Sequence, residues 1–410
     1  MRKRMKNIVA ILTVTCILAI GCSCGSDDKT IDKWESTTEE TTTSSMETTT
    51  KIPESTTMET TTKTPESATM ETTTKTPEST TMETTINTPE TTIQWETTTA
   101  QKQVPTGNTP FEQCGRLSVS GTNLVDQFGN PFQLKGASTH GIAWFPQFVS
   151  YDTFKYLRDE FGANVVRIAM YTDEYGGYCS GGNKEDLKNL VKKGVDEATK
   201  LGMYVIIDWH ILHDTNPQQN KGEAINFFRE ISSIYKNQEN IIYEICNEPN
   251  GGTRWDEIKA YAMEVIPVIR ANDSDAIIVV GTPNWSQDVD AAAGDKIEGY
   301  DNIMYTLHFY AATHKQWLRD KAQTAINSGL ALFVTEFSIC DASGNGALDI
   351  NEANKWMEFL NKNHIGYVGW NLANKAESSS MFQSWCNKTS GFDDSDLSEW
   401  AKWLKGVMRK

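Results

Sequence analysis

From Leu117 onward, short apolar runs alternate with longer stretches in which apolar residues recur every three or four positions. The runs, at 133–140, 164–171, 203–210, 241–248, 276–283, 302–310, 331–338 and 367–374, have strand length and are rich in β-branched and aromatic residues. Between them, 151–161, 184–201, 222–236, 255–270, 314–327 and 351–363 carry the helical period, and 397–408 closes the chain in the same way. The Ala-rich stretch 287–299 fits a helix poorly. Strands that alternate with helices predict a parallel sheet of the α/β class. Eight such repeats in about 300 residues predict that it closes into a (β/α)8 TIM barrel. Ahead of the barrel, 117–119 and 124–126 flank Ser120-Gly121-Thr122-Asn123, and Phe128-Gly129-Asn130-Pro131 makes a second turn, which predicts a small hairpin placed to cover the barrel floor.

The preceding residues follow neither period. Arg2, Lys3, Arg4 and Lys6 precede an apolar run over 8–20 that is too short to cross a bilayer, the arrangement of a signal peptide over 1–21, so the mature chain is expected to be exported. From Ser36 to Thr99 more than half the residues are Thr or Ser, and Met46, Met58, Met70 and Met82 keep step with Pro53, Pro65, Pro77 and Pro89 in a twelve-residue unit. That unit has almost nothing apolar to bury, so ordering it would cost backbone entropy with no return. Residues 22–109 are therefore expected to form a disordered Thr-rich linker whose ends lie roughly 50 Å apart as a flexible coil. The folded domain is expected over 110–410.

Composition narrows the partners. Only 38% of the 410 residues are hydrophobic, which fits a normal core diluted by the linker. The net charge is −16, of which −9 falls on 22–109, with 15 acidic and 6 basic side chains. No Lys/Arg cluster follows the first six residues, which excludes nucleic acid as a partner. Eight cysteines show no metal-ligand or disulfide spacing; five lie in the folded domain, an odd number that reads as free thiols.

In a barrel of this kind the strands' C-terminal ends form the rim where active sites are built. The predicted strands end on Thr139-His140, Arg167, Asp208-Trp209-His210, Asn247-Glu248, His308-Phe309-Tyr310, Glu336 and Trp370-Asn371, with Trp285 just beyond the fifth. A single histidine there would read as hydrogen-bonded scaffold. A rim of two carboxylates, several histidines, an arginine and tryptophans is poorly explained as packing, because each buried polar group needs a partner. Two glutamates with aromatic neighbours suit glycoside hydrolysis. One protonates the leaving oxygen and the other attacks the anomeric carbon, while flat aromatic faces receive sugar rings. A metal site is the rival, with His140, His210, His213 and His308 as available ligands, although His210 and His213 lie in no HExxH helix.

Ile245-Cys246-Asn247-Glu248-Pro249 resembles the Asn-Glu-Pro signature of glycoside hydrolase family 5, and Val334-Thr335-Glu336-Phe337 resembles its nucleophile strand, on the fourth and seventh barrel strands where that family places them. Over 110–410 the chain is similar to the bacterial endoglucanases of the family. The resemblance implies that Glu248 is the acid/base, Glu336 the nucleophile and Asn247 the partner of the sugar's 2-hydroxyl. It further implies that Arg167 keeps Glu336 ionised, that His210, His308 and Tyr310 complete the reacting subsite, with Tyr310 hydrogen-bonding the nucleophile, and that Trp370 is the stacking floor. It assigns His140, Trp144, Tyr171, Lys375 and Glu377 to substrate binding, and implies no cofactor and no metal. Phe337-Ser338 stands where many relatives carry Phe-Gly. At the other end of the chain, Leu18-Ala19-Ile20-Gly21-Cys22 resembles the lipobox of bacterial lipoproteins, with Ala19 at the usual Leu position. That implies a lipid on Cys22 and a membrane-anchored, cell-surface location; the alternative is a freely secreted chain.

The expected activity is endo-hydrolysis of β-1,4-glucan with retention if the carboxyls lie about 5–5.5 Å apart. Mannan, lichenan or xyloglucan are alternative substrates for the same chemistry. A non-catalytic carbohydrate-binding or adhesive surface protein is the reading from a different class. No separate cellulose-binding module is evident, so a preference for soluble or amorphous chains is expected, acting as a monomer.

Overall fold

The computed structural model describes residues 107–410; the signal segment, Cys22 and nearly all of the linker lie outside the described residues. The first element, α1 (Pro110–Cys114), is a five-residue helix opened by a capping box in which Thr109 accepts from the Glu112 amide and Glu112 accepts from the Thr109 amide. A helix this short shows no hydrophobic period, and the sequence reading missed it. Strands β1 (Ser118–Ser120) and β2 (Asn123–Val125) then pair antiparallel as the expected hairpin.

Eight parallel strands form a closed barrel: β3 (Lys135–Thr139), β4 (Val165–Tyr171), β5 (Tyr204–His210), β6 (Ile241–Glu244), β7 (Ile277–Val280), β8 (Ile303–Tyr310), β9 (Leu332–Ser338) and β10 (Tyr367–Leu372), with β10 closing on β3. The helices between them are α2 (Tyr151–Tyr156), α3 (Lys184–Lys200), α4 (Lys221–Ile234), α5 (Trp255–Arg270), α6 (Pro283–Ser286), α7 (Val289–Gly294), α8 (Gln316–Asn327), α9 (Ile350–Lys362) and α10 (Glu399–Met408). The stretch that fitted a helix poorly yields only the six residues of α7.

Period-two alternation along the strands sorts two environments. Val166, Ile168 and Met170 of β4 and Val205, Ile207 and Trp209 of β5 face outward and pack with Leu187, Val191 and Val195 of α3. Gly194 lets α3 approach closely, since a Cβ there would lie 2.7 Å from Ile168 Cδ1. Inward, Val165, Ile206, Ile242, Val279, Met304 and Phe333 form a lower apolar layer that the hairpin's Leu117 and Leu124 join, so the hairpin does seal the floor. Above that layer the inward positions turn polar: Arg167, Asp208, Glu244 and Thr335 are fully buried.

Two local departures set the site. Strand β6 stops at Glu244, earlier than the expected 248. Beyond it the Ile245 amide still donates to Val279 and the Asn247 amide to Trp209, but Pro249 has no N–H to continue, and Asn247-Glu248 stand on a loop. Strand β9 carries an extra residue relative to both neighbours: Phe333 and Glu336 face Thr306 and His308 of β8, while Val334 and Phe337 face Tyr367 and Gly369 of β10. This β-bulge breaks the alternation, so Thr335 and Glu336 both turn inward.

Candidate active site

Glu248 and Glu336 face each other at the barrel mouth, with a carboxylate oxygen of each within 4.8 Å of the other and of a His308 ring nitrogen. They open onto a cleft of about 710 Å³ lined by His140, Trp144, Tyr171, His210, His308, Tyr310, Trp370, Lys375 and Glu377. Of the residues expected at the site in the folded domain, only Arg167 and Asn247 are off this surface; both are fully buried beneath it.

Arg167 organises the layer below. Its Nη1 donates to Glu336 (3.3 Å), its Nε to Glu244 (2.7 Å) and its Nη2 to Asn247 Oδ1 (2.6 Å), and Nη2 also lies 3.0 Å from Asp208. One guanidinium thus serves three carboxylates, so its pull toward the ionised Glu336 is shared with Glu244 and Asp208. Burial, and then the Glu248 charge, push the Glu336 carboxyl up to about 7 against the opposing pull of His308, Arg167 and the Tyr310 hydroxyl, which donates to Glu336 at 2.7 Å. Burial raises Glu248 further, to about 8, with Asp208 and Glu244 adding to the shift and Arg167 opposing it. Arg167 and the Tyr310 hydroxyl both donate to Glu336 and neither donates to Glu248, so the proton favours Glu248, and the pair titrates as one system.

The two histidines nearest the carboxyl pair, His210 and His308, are held neutral. Burial takes His308 down to about 4 and His210 well below its ordinary value. His210 Nδ1 lies 2.6 Å from Asp208 and its Nε2 lies 3.3 Å from Asn247 Nδ2, which also donates to the Ile211 carbonyl. His308 bridges Glu248 (Nδ1, 2.9 Å) and Thr335 (Nε2, 2.9 Å). The four histidines considered as metal ligands do not converge: His213 is exposed, His140 packs among Trp144, Tyr171 and Trp370, and both His308 nitrogens are engaged by protein groups. Among the described residues, the one cluster with metal-like spacing is Glu248–His308–Glu336, which has a single histidine and spends its donor atoms on one another, on Thr335, Arg167 and Tyr310.

The cleft walls are aromatic on one side. Trp370 stacks on His210 with centroids 5.2 Å apart and an interplanar angle of 13°, and Trp144 lies 4.7 Å from Tyr171. Glu377 is held by Lys375 at 2.6 Å and by Asn371 at 3.1 Å. The cleft also takes in Trp285, which the sequence reading placed on the rim without a subsite, and Glu174, Gln287, His314 and Ser343, to which it gave no role. Trp285 carried a legible signal, an aromatic directly after a barrel strand; the others sit on loops whose paths no period predicts.

Residues 125–376 match the family model "Cellulase (glycosyl hydrolase family 5)". The chain is 52% identical over 284 residues to an endoglucanase of Clostridium saccharobutylicum, covering 69% of this chain and 62% of that one. It is 49% identical over 293 residues to endoglucanase A of Butyrivibrio fibrisolvens, covering 71% and 68%. Among solved structures it resembles the catalytic domain of Thermobifida fusca endoglucanase Cel5A in complex with cellotetraose, with a TM-score of 0.70 and 36% identity over 74% of this chain and all of that one.

Proposed function

Because the chain belongs to glycosyl hydrolase family 5, the cellulase family, we propose that it cuts internal β-1,4-glucosidic bonds of cellulose-type glucans with retention of configuration. The observation that carries this reading is the approach of the two carboxyls, within 4.8 Å oxygen to oxygen, which leaves no room for a water between nucleophile and sugar. Glu336, steadied by Arg167 and Tyr310, attacks the anomeric carbon while Glu248 gives its proton to the departing glycosidic oxygen. The resulting ester on Glu336 is then opened by water, whose proton returns to Glu248. Asn247 reaches the sugar's 2-hydroxyl by giving up its longer contact, the 3.3 Å one to His210.

Trp370, Trp144, Tyr171, His140, Lys375 and Glu377 lie on the nucleophile's side of the cleft and receive the sugars that stay on the enzyme. Trp285 adjoins the acid loop, its amide donating to Pro249, and receives the leaving portion. The printed names of the relatives, endoglucanases, and the cellotetraose bound by one of them support a glucan over the other β-1,4 polysaccharides. The test sets carboxymethyl cellulose, β-mannan and xyloglucan side by side. A fast viscosity drop is expected on the cellulose derivative, reduced at least a thousandfold in Glu248→Gln and Glu336→Gln. Cleavage of mannan alone would move the substrate, and activity that survives both changes would overturn the residue assignments.

A further inference from the structure

Two buried groups beneath the reacting pair, Thr335 and Glu244, take no part in these steps, yet they complete a hydrogen-bond chain that ends on the acid. Burial and the Asp208 charge push the Glu244 carboxyl up, but the Arg167 guanidinium donates to its Oε2 at 2.7 Å and opposes that shift, so the paired Glu244 serves as an acceptor. Its Oε1 lies 2.6 Å from Thr335 Oγ1, a charge-assisted distance, and Thr335 Oγ1 lies 2.9 Å from His308 Nε2. A threonine hydroxyl has one hydrogen, and the shorter contact to a carboxylate claims it. Thr335 must then accept from His308, which places the imidazole hydrogen on Nε2 and leaves Nδ1 with a bare lone pair. That lone pair stands 2.9 Å from Glu248 Oε1, so the hydrogen between them has to come from the glutamic acid.

We infer that Thr335 and Glu244 are positioning residues that lock His308 in its Nε2–H tautomer and thereby hold Glu248 protonated until the glycosidic oxygen takes the proton. The inference rests on Glu248 being the acid of the proposed reaction. Burial, which keeps His308 neutral, agrees with it. Once Glu248 has given up its proton, its carboxylate faces an acceptor, which raises its affinity for the next proton and suits it to deprotonate the incoming water. The β9 bulge makes this possible: only the extra residue lets Thr335 and the adjacent Glu336 serve the acid and the nucleophile from the same face. The other charged or titratable groups around Glu248 and His308 are Arg167 and Tyr171 of β4, Asp208 and His210 of β5, Tyr310 of β8, Glu336 of β9 and His314 beyond β8. None of them contacts the Thr335 hydroxyl.

Thr335→Val keeps the branched shape and removes the hydroxyl, freeing His308 to carry its hydrogen on Nδ1 and donate it to a Glu248 carboxylate. In the full-length protein, the basic limb of the kcat/KM profile on cellotetraose should move down by about one pH unit or more. Near pH 8 cellotetraose cleavage should fall about tenfold, while 2,4-dinitrophenyl cellobioside, whose leaving group needs no proton, should keep its rate within about threefold. Thr335→Ser should restore the limb. An unmoved limb, or an equal loss on both substrates, would overturn the tautomer lock, whereas an unmodified chain that cleaves neither substrate would overturn the activity on which it rests.

Discussion

Glu248 and Glu336 cannot both ionise cheaply in the pocket they share. A carboxyl raised to about 8 in the folded chain from an ordinary value near 4.5 binds a proton that the unfolded chain has lost, so across that interval stability declines as pH rises. Glu248→Gln removes this term and keeps a hydrogen for His308 Nδ1, because the amide nitrogen is a donor. Its melting temperature should match that of the unmodified chain near pH 4.5 and exceed it by a few degrees near pH 8.5. Thermal unfolding in a pH series reads this, and a constant offset would show that Glu248 is not the raised group. Glu248, Glu336, Tyr310 and Trp370 were legible in the sequence because each sits near the end of an apolar run, close to the rim; Arg167, placed with them, lies buried beneath the cleft. The sharing of Arg167 among three carboxylates was not legible, since Glu244 reads simply as an interior position of a strand.

At the scale of elements, the loops after β6 and β7 are tied to each other. Asn284, Trp285 and Ser286 of α6 have φ of 58°, 55° and 56°, a left-handed turn that costs about 1–2 kcal/mol per residue without glycine. Hydrogen bonds from the Trp285 amide to Pro249 and from Ser286 Oγ to Asn247 (2.7 Å) hold it. At Gly281 a Cβ would collide with the Cys246 carbonyl, so that glycine lets the two loops touch. The turn thus presents Trp285, 44% exposed, to the cleft that Glu248 lines. Trp285→Ala should lower kcat/KM about tenfold on cellopentaose and little on an aryl cellobioside, which has no sugar beyond the cleaved bond. Equal losses would place Trp285 on the other side of the scissile bond. Neither this turn nor the β9 bulge could be read in advance: three left-handed residues lack the glycine signal, and an extra residue in a strand shows only against its neighbours.

For the whole molecule, the barrel was legible because its burial pattern repeats eight times, and an error at one strand end is corrected by the other seven. Its floor, sealed by Leu117 and Leu124, was also legible, since a hairpin ahead of the first barrel strand has an apolar face to bury. Strand ends were less so: β6 yields to a loop short of Pro249, which has no N–H for the ladder. The same arrangement, an open aromatic-walled cleft over a buried charged layer, suits the proposed cut at an interior bond of a long chain lying across the mouth. The stereochemistry of that cut tests the account most directly. Proton NMR of cellopentaose during hydrolysis by the full-length protein should show the β-anomer of the newly formed reducing end first, with the α-anomer appearing only by mutarotation. Initial appearance of the α-anomer would mean a single displacement by water, and would contradict the assignment of Glu336 as the group that attacks the sugar.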